Sequence, residues 1–497
     1  DPDTLPAPRR VGGRGGDEGA RALFPRQPVD LGRSGAAVAP QVGRPLLGCA
    51  GPGGRSTTAQ IRAVFAAVLW LMISGAGAQA AVPRPDVDAA VPAIQARLIA
   101  WRRDIHANPE LGNRETRTAD LVARHLTGLG LEVRAGIAHT GVIGVLQGGQ
   151  PGPVVALRAD MDALPVTEAT GLPFASTVRA IYNGQETGVM HACGHDAHVA
   201  ILMAAAEVLT GLKEQIAGTV LFVFQPAEEG PPPGERGGAE LMLEEGAFRP
   251  LRPEAIFGLH VTSSQATGTL AYRSGPAMAS ADRFEIVVRG RQTHGSRPWS
   301  GVDPVTVASQ IVLALQTISS RQVDVTRAPS VISVGSIHGG IRNNIIPESV
   351  ELIGTIRTFS EPMRRDIHRR IEQTARSIAA SAGAEAEIEI GQGVPVTVND
   401  PELTRRMLPT LEAVPGVSRL LESTLVTGAE DFSFFANEVP GLYVFLGVTP
   451  YGQNPATAPA NHSPGFFVDE SALPIGVKTM SYLALDFLAS GGTAVGR

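Results

Sequence analysis

A chain of 497 residues with 43% hydrophobic and 18% charged side chains is long enough for two or three domains and apolar enough for a sizeable core. Its formal charge of -6 is mild and no basic run with interleaved aromatics occurs, so nucleic acid is excluded as an expected partner. The two cysteines, Cys49 and Cys193, lie far apart, which argues against a disulfide framework.

Residues 1–60 are rich in Gly, Pro and Arg without apolar periodicity, and read as a disordered segment. Residues 61–80 differ. An arginine precedes the apolar run "AVFAAVLWLMISGAGAQA", which closes in Ala78-Gln79-Ala80. That is the layout of a secretory signal peptide cleaved near Ala80, and it predicts an exported, periplasmic or secreted protein with no stable membrane anchor after cleavage. A buried core helix or an uncleaved anchor competes with this reading, and in its absence the protein stays cytoplasmic.

After Pro85 the apolar spacing predicts a helix through "VDAAVPAIQARLIAWRRDIHANPE" and another through "ETRTADLVARHLTGLG", with Gly128 and Gly130 as stop signals. Short apolar runs bounded by turn residues follow: "GVIGVL", "VVALRAD", "TVLFVFQ", "AIFGLH" and, much later, "GLYVFLGV". A helix, "AHVAILMAAAEVLTGLKEQ", separates the second from the third. Nearly continuous apolar strands alternating with helices predict an α/β fold, an open sheet covered on both faces. Between Ala279 and Ile390 the order becomes "RFEIVVRG", "PVTVASQIVLALQTIS", "SVISVGSI", "VELIGTIRT", "PMRRDIHRRIEQTARSIAASAG" and "EAEIEI". That is βαββαβ, a ferredoxin-like unit. The expected organisation is therefore a larger domain in two parts, 86–278 and 392–497, interrupted by an inserted domain at 279–391, with a ligand cleft between them.

Polar groups suited to a metal gather just beyond the predicted strand ends. "VVALRAD" leads to Asp160 and Asp162, "TVLFVFQ" to Glu228 and Glu229, "AIFGL" to His260, and "GLYVFLGV", past a loop, to His462. The dense stretch "MHACGHDAH", with Cys193 and His195, opens a helix before one of these strands. Each residue alone has a bland explanation: a core histidine, a solvated glutamate pair, a helix cap, a small buried thiol. Their common address at the carboxyl ends of an α/β sheet, where ligands bind, favours a shared site. His, thiolate and carboxylate suit Zn and neighbouring divalent ions. Two ions about 3.5–4 Å apart can hold and acidify an attacking water, while one of two adjacent glutamates serves as the base.

In order along residues 98–488, "RRDIHANPELG", "LRADMDALPV", "MHACGHDAH", "FQPAEEG", "GLH", "HGSRP", "NIIPE", "GAEDF" and "NHSPGFFVDE" resemble the binuclear metallopeptidases of aminoacylase and carboxypeptidase type. The nearest branch is that of hippurate hydrolase, auxin-conjugate (IAA-amino acid) hydrolase and N-acetyl-diaminopimelate deacetylase. The resemblance implies a zinc-aminopeptidase-like catalytic domain, an inserted lid and dimerisation domain, and two divalent metal ions per subunit. A thiolate ligand leans towards Zn; Mn, Co and Ni remain open. Cys193 would bridge the ions, with His195, Glu229, His260 and His462 completing the ligand set. Glu228 would be the general base, and Asp162 would orient a ligand. His294 would stabilise the oxyanion, supplied by the partner subunit of a homodimer. Asn344 (or Asn343) and Arg357 would grip the substrate carboxylate. Ser296 and Trp299 in "HGSRPW" depart from the branch, as does the doubled asparagine before Ile345 and Ile346. His191, Asp196 and His198 match it without an assigned role.

The activity so implied is cleavage of the amide bond of N-acyl-L-amino acids or small peptides. The alternatives are a metal-independent cysteine hydrolase built on Cys193 and a non-catalytic binding homologue. No G-x-S-x-G elbow occurs to support a serine hydrolase.

Overall fold

The computed structural model describes residues 84–492. The Gly/Pro/Arg-rich segment (1–60) and the expected signal peptide (61–80) lie outside the described residues.

An eight-stranded mixed sheet organises the chain. Its spatial order is Glu132–Ile137, Gly141–Gln147, Ala217–Gln225, Gln150–Asp160, Ala255–Ala266, Gly441–Thr449, Thr269–Tyr272 and Arg419–Glu422. The four strands from Ala217–Gln225 to Gly441–Thr449 run parallel to one another. Their near-continuous apolar sequence follows from burial on both faces. Phe222 and Phe224 point into one core while Leu221 and Val223 point into the other; Val155 and Leu157 are likewise separated from Ala156. One core is roofed by the helices Arg84–Ala107, His195–Gly211 and Leu473–Ala489, the other by the shorter Gly238–Glu244 and Phe432–Glu438. The His195–Gly211 helix lies in the middle of the first core, with nearly every residue buried, so it is apolar all round rather than amphipathic.

Residues 281–394 form a second, four-stranded sheet in the order Ser330–His338, Ser349–Thr358, Ala281–Arg289, Glu385–Val394, with every neighbouring pair antiparallel. Helices Pro304–Thr317 and Glu361–Ser381 pack on it, the second through Met363, Ile367, Ile371, Ala375 and Ala379, one residue per turn. The helices start where capping chemistry dictates: Asp303 accepts from the N–H groups of Val305 and Thr306, and Ser360 from that of Met363.

One expected strand differs. "AIFGL" was to end at His260, yet the strand continues to Ala266. Its neighbour Gly441–Thr449 pairs with it throughout, whereas Gln150–Asp160 pairs only as far as Gly258. His260 therefore sits within a strand but past the end of one neighbour, facing the space above Asp160.

Candidate metal centre

Five side chains from four segments meet above the carboxyl ends of the parallel strands. Cys193 Sγ lies 3.3 Å from His260 Nε2 and 3.2 Å from His462 Nε2, and His462 Nε2 lies 3.0 Å from Glu229 Oε1. Potential ligand atoms of Cys193, His195 and His260 fall within 4.8 Å of one another, and so do those of Cys193, Glu229 and His462. Cys193 belongs to both groups, as a bridging ligand must.

Local structure explains how these residues meet. Gly194, between Cys193 and His195, has φ +96°, and a Cβ there would stand 2.3 Å from Val261 Cγ2. Only glycine lets the chain turn from one expected ligand into the helix carrying the next. His260 donates from Nδ1 to its neighbour's carbonyl, Val261 O, at 2.7 Å, which leaves the Nε2 lone pair facing Cys193. Asp162, fully buried, accepts from the backbone N–H groups of Glu228 (3.1 Å) and Glu229 (2.9 Å) and stands 3.3 Å from His195 Nδ1. It thus orders both glutamates and one imidazole without reaching the thiol.

Burial dominates the electrostatics of the donor set. Burial pushes the Cys193 thiol up, and the Glu229 carboxylate adds to the shift. Burial also lifts Glu228 well above the carboxylate range, reinforced by Glu430, Glu229 and Asp431. His195 Nε2 is buried without a hydrogen-bond partner among the described residues. A thiol, two glutamates and three imidazoles this close form a donor set of the kinds that divalent ions take. Sulfur and nitrogen ligands of one tetrahedral zinc are separated by about 3.5 Å, close to the spacings found here.

A cavity of about 650 Å³ opens over this set. Glu228, Glu229 and His462 lie on one wall, and Arg357 of the second sheet lines it too. Arg357 is half-buried and has no hydrogen-bond or ion-pair partner among the described residues. His294 and Asn344 are brought together, but elsewhere. The short strands Thr293–His294 and Ile345–Ile346 pair, and Gly295 N–H donates to Asn344 O at 2.8 Å. His294 is exposed, its Nδ1 accepting from Ser296, and neither residue lines the cavity.

Three groups outside the expected set hold the site in place. His198 accepts the Val261 N–H on Nε2 (2.8 Å), so its Nδ1 carries the proton shared with Asp160 at 2.5 Å; with both nitrogens occupied it positions the strand of His260. Asp196 pairs with buried Arg102 (2.7 Å) and His106 (2.9 Å), anchoring the His195 helix. Asn461 was overlooked despite standing beside His462. Its Nδ2 donates to Cys193 O (3.0 Å) and Val261 O (3.1 Å), and its Oδ1 accepts from Ser263 N–H (3.2 Å). One amide therefore ties together the loops of three expected ligands. Asn461→Ala should weaken metal retention about ten- to hundredfold, measured by competition with a calibrated chelator.

A model of Peptidase family M20/M25/M40 matches residues 156–486. The chain belongs to the M20 peptidase family. Thermostable carboxypeptidase 2 of Saccharolobus solfataricus is 42% identical over 78% of this chain and 95% of its own. The IAA-amino acid hydrolase ILR1-like 2 of Arabidopsis thaliana is 36% identical, over 80% of this chain and 88% of its own. The N-acetylcysteine deacetylase of Bacillus subtilis is also 36% identical, over 79% and 97%. Among solved structures, the Bacillus subtilis YXEP protein, described as a dinuclear metal binding peptidase of the M20 family, superposes with a TM-score of 0.67 at 34% identity, covering 80% of this chain and 99% of that one. The M20 assignment makes the chain a hydrolase of peptidase and amidohydrolase type, acting on small molecules, and agrees with the donor set found above.

Proposed function

We propose that this M20 protein is an exported, two-metal amidohydrolase that cleaves N-acyl-L-amino acids or small peptides into a carboxylic acid and a free amine. The observation that carries the reading is the cavity itself: a donor set and the guanidinium of Arg357, unpartnered among the described residues, line it together. A substrate carboxylate on Arg357 holds the scissile amide over the donors, and a planar guanidinium suits that task. Bound divalent ions, Zn favoured by the thiolate, supply Lewis acidity and an acidified water. Cys193, His195, Glu229, His260 and His462 hold them. Glu228 takes the proton of the attacking water and returns it to the leaving amine, while Asp162 keeps Glu228, Glu229 and His195 in register.

His294 and Asn344 act across a homodimer in this reading, which accounts for their position away from the cavity of their own chain. The exposed edge strand Ser330–His338, with Val331 and Ile337 open to solvent, supports the inserted sheet as the dimer contact. The carboxypeptidase, IAA-amino acid hydrolase and N-acetylcysteine deacetylase relatives support the substrate class without choosing an acyl group.

The test combines metal analysis with a panel of N-acetyl, N-benzoyl and dipeptide substrates. Prolonged chelation should abolish hydrolysis and added Zn or Mn restore it; activity that survives complete metal removal would favour the cysteine hydrolase. Arg357→Met should lower kcat/KM for carboxylate substrates roughly ten- to hundredfold, and change that for the matching carboxamides far less.

A further inference from the structure

The chain turns where the strand Ala217–Gln225 ends, and Glu228 stands on that turn. Pro226 has no N–H, so the first amides the turn must satisfy are those of Ala227, Glu228 and Glu229. Asp162 accepts the second and third, at 3.1 and 2.9 Å. The first goes to a residue that the proposed mechanism does not use. Glu115, wholly buried just before the helix Thr116–Gly128, accepts the Ala227 N–H on Oε1 at 2.8 Å. Two buried carboxylates from segments remote along the chain therefore hold three consecutive amides. Successive N–H groups of a turn form a concavity that draws anions, and here the chain fills it with its own side chains.

The turn needs holding. Ala227 has φ +52°, a left-handed conformation that a residue other than glycine keeps only where its surroundings fix it. The surroundings are tight on the Glu115 side. A Cβ on Gly112 would stand 2.7 Å from Gly230 O and 3.2 Å from Ala227 Cβ, so the segment leading to Glu115 lies flush against the turn. Glu115 is itself pinned. Thr140, buried in the link between the strands Glu132–Ile137 and Gly141–Gln147, donates its hydroxyl to Glu115 Oε2 at 2.6 Å. Both carboxylate oxygens thus have a partner. Glu115 belongs to none of the converging ligand groups among the described residues, and it does not line the cavity. It can reach the chemistry only through the backbone.

We propose that Glu115 is a positioning residue for the base. Asp162 fixes the two peptide groups that flank Glu228, and Glu115 fixes the one before them, where the left-handed residue would otherwise let the turn relax. This role rests on Glu228 being the base, as proposed above. A displacement of about 1 Å at a reacting group can cost on the order of a hundredfold in rate, so a carboxylate that touches neither substrate nor ion can still set kcat.

The experiment measures kcat, KM and metal per chain for metal-loaded wild type, Glu115→Leu and Glu115→Gln, on the fastest substrate of the N-acetyl, N-benzoyl and dipeptide panel. Glu115→Leu should lower kcat roughly ten- to hundredfold, with KM and metal content little changed. Glu115→Gln should retain most of the wild-type kcat, because its carbonyl accepts the Ala227 N–H and its amide donates to the Thr140 hydroxyl. A glutamate that serves only the fold would lower the melting temperature of the Leu variant and leave the kcat of its folded, metal-loaded molecules unchanged, which overturns the proposal. A Gln variant as slow as the Leu variant, or metal lost in step with activity, overturns it too. If Glu115→Leu does not fold, Thr140→Val decides: freeing Oε2 should lower kcat a few-fold, and an unchanged kcat counts against the role. Glu228→Gln keeps the two failures apart. If that variant stays active, the parent reading falls; if it is inactive with metal bound while Glu115→Leu keeps full kcat, only the positioning role falls.

Discussion

Glu228→Gln is expected to lower kcat by about a hundred- to ten-thousandfold while leaving metal content unchanged. Gln keeps the size of the side chain and the backbone N–H bond to Asp162, and removes only the capacity to carry a proton. Burial, Glu430, Glu229 and Asp431 together raise the proton affinity of Glu228 well above that of an ordinary carboxylate. Such a group accepts a proton from an acidified water far more readily than an exposed glutamate does, and can pass it on. The metal measurement decides between two roles, because Glu228 also lies within ligand distance of His195 and Glu229. If metal is lost together with activity, Glu228 is a ligand and the base must be sought elsewhere. Retained activity would remove the proposed mechanism altogether.

The α/β framework was legible because its signals are local. Apolar runs such as "TVLFVFQ" and "GLYVFLGV" occur as strands at Ala217–Gln225 and Gly441–Thr449, and the polar residues after them converge because parallel strands share one carboxyl edge. His260 was expected at such a strand end and instead lies inside Ala255–Ala266, past the end of its neighbour Gln150–Asp160. The short strands Thr269–Tyr272 and Arg419–Glu422, the last two at one end of the sheet, were not anticipated, since four residues carry too little alternation to stand out. Nor was the hairpin at 179–188, which is mostly solvent-exposed and takes its position from the backbone bond Val189 N–H to Val178 O and the Thr167 hydroxyl, which accepts from Gly188 N–H. Asn461 and His198 escaped for a different reason: their partners are mostly backbone groups in segments remote along the chain, and no spacing rule connects them. "GAEDF" was noticed as a motif, but what Glu430 and Asp431 do depends on an arginine 272 and 273 residues away.

That arginine carries the second large effect. Arg158 is fully buried and reaches Asp160 (2.6 Å), Glu430 (2.9 Å), Asp431 (3.0 Å) and Gln225 (2.8 Å). Arg158→Met should destabilise the fold by about 3–5 kcal/mol, read from the denaturant midpoint of the metal-free protein, because three buried carboxylates lose their shared cation. The penalty should shrink as pH falls. Burial already lifts Asp431 to about 7 against the opposing pull of Arg158. Without the arginine, Asp431 holds its proton still more tightly in the folded state than in the unfolded one. Stability then declines as pH rises from the ordinary carboxylate range through its raised folded value. Tyr443→Phe, which removes one hydroxyl donated to Glu430 at 2.5 Å, is the graded control and should cost about 1 kcal/mol. The network also bears on the site, since Asp160 passes from Arg158 to His198 and His198 fixes the backbone next to His260. A merely structural arginine would leave metal affinity unchanged once the variant is folded. An arginine that holds Asp160 for His198 should weaken it, and chelator competition on folded Arg158→Met protein separates the two.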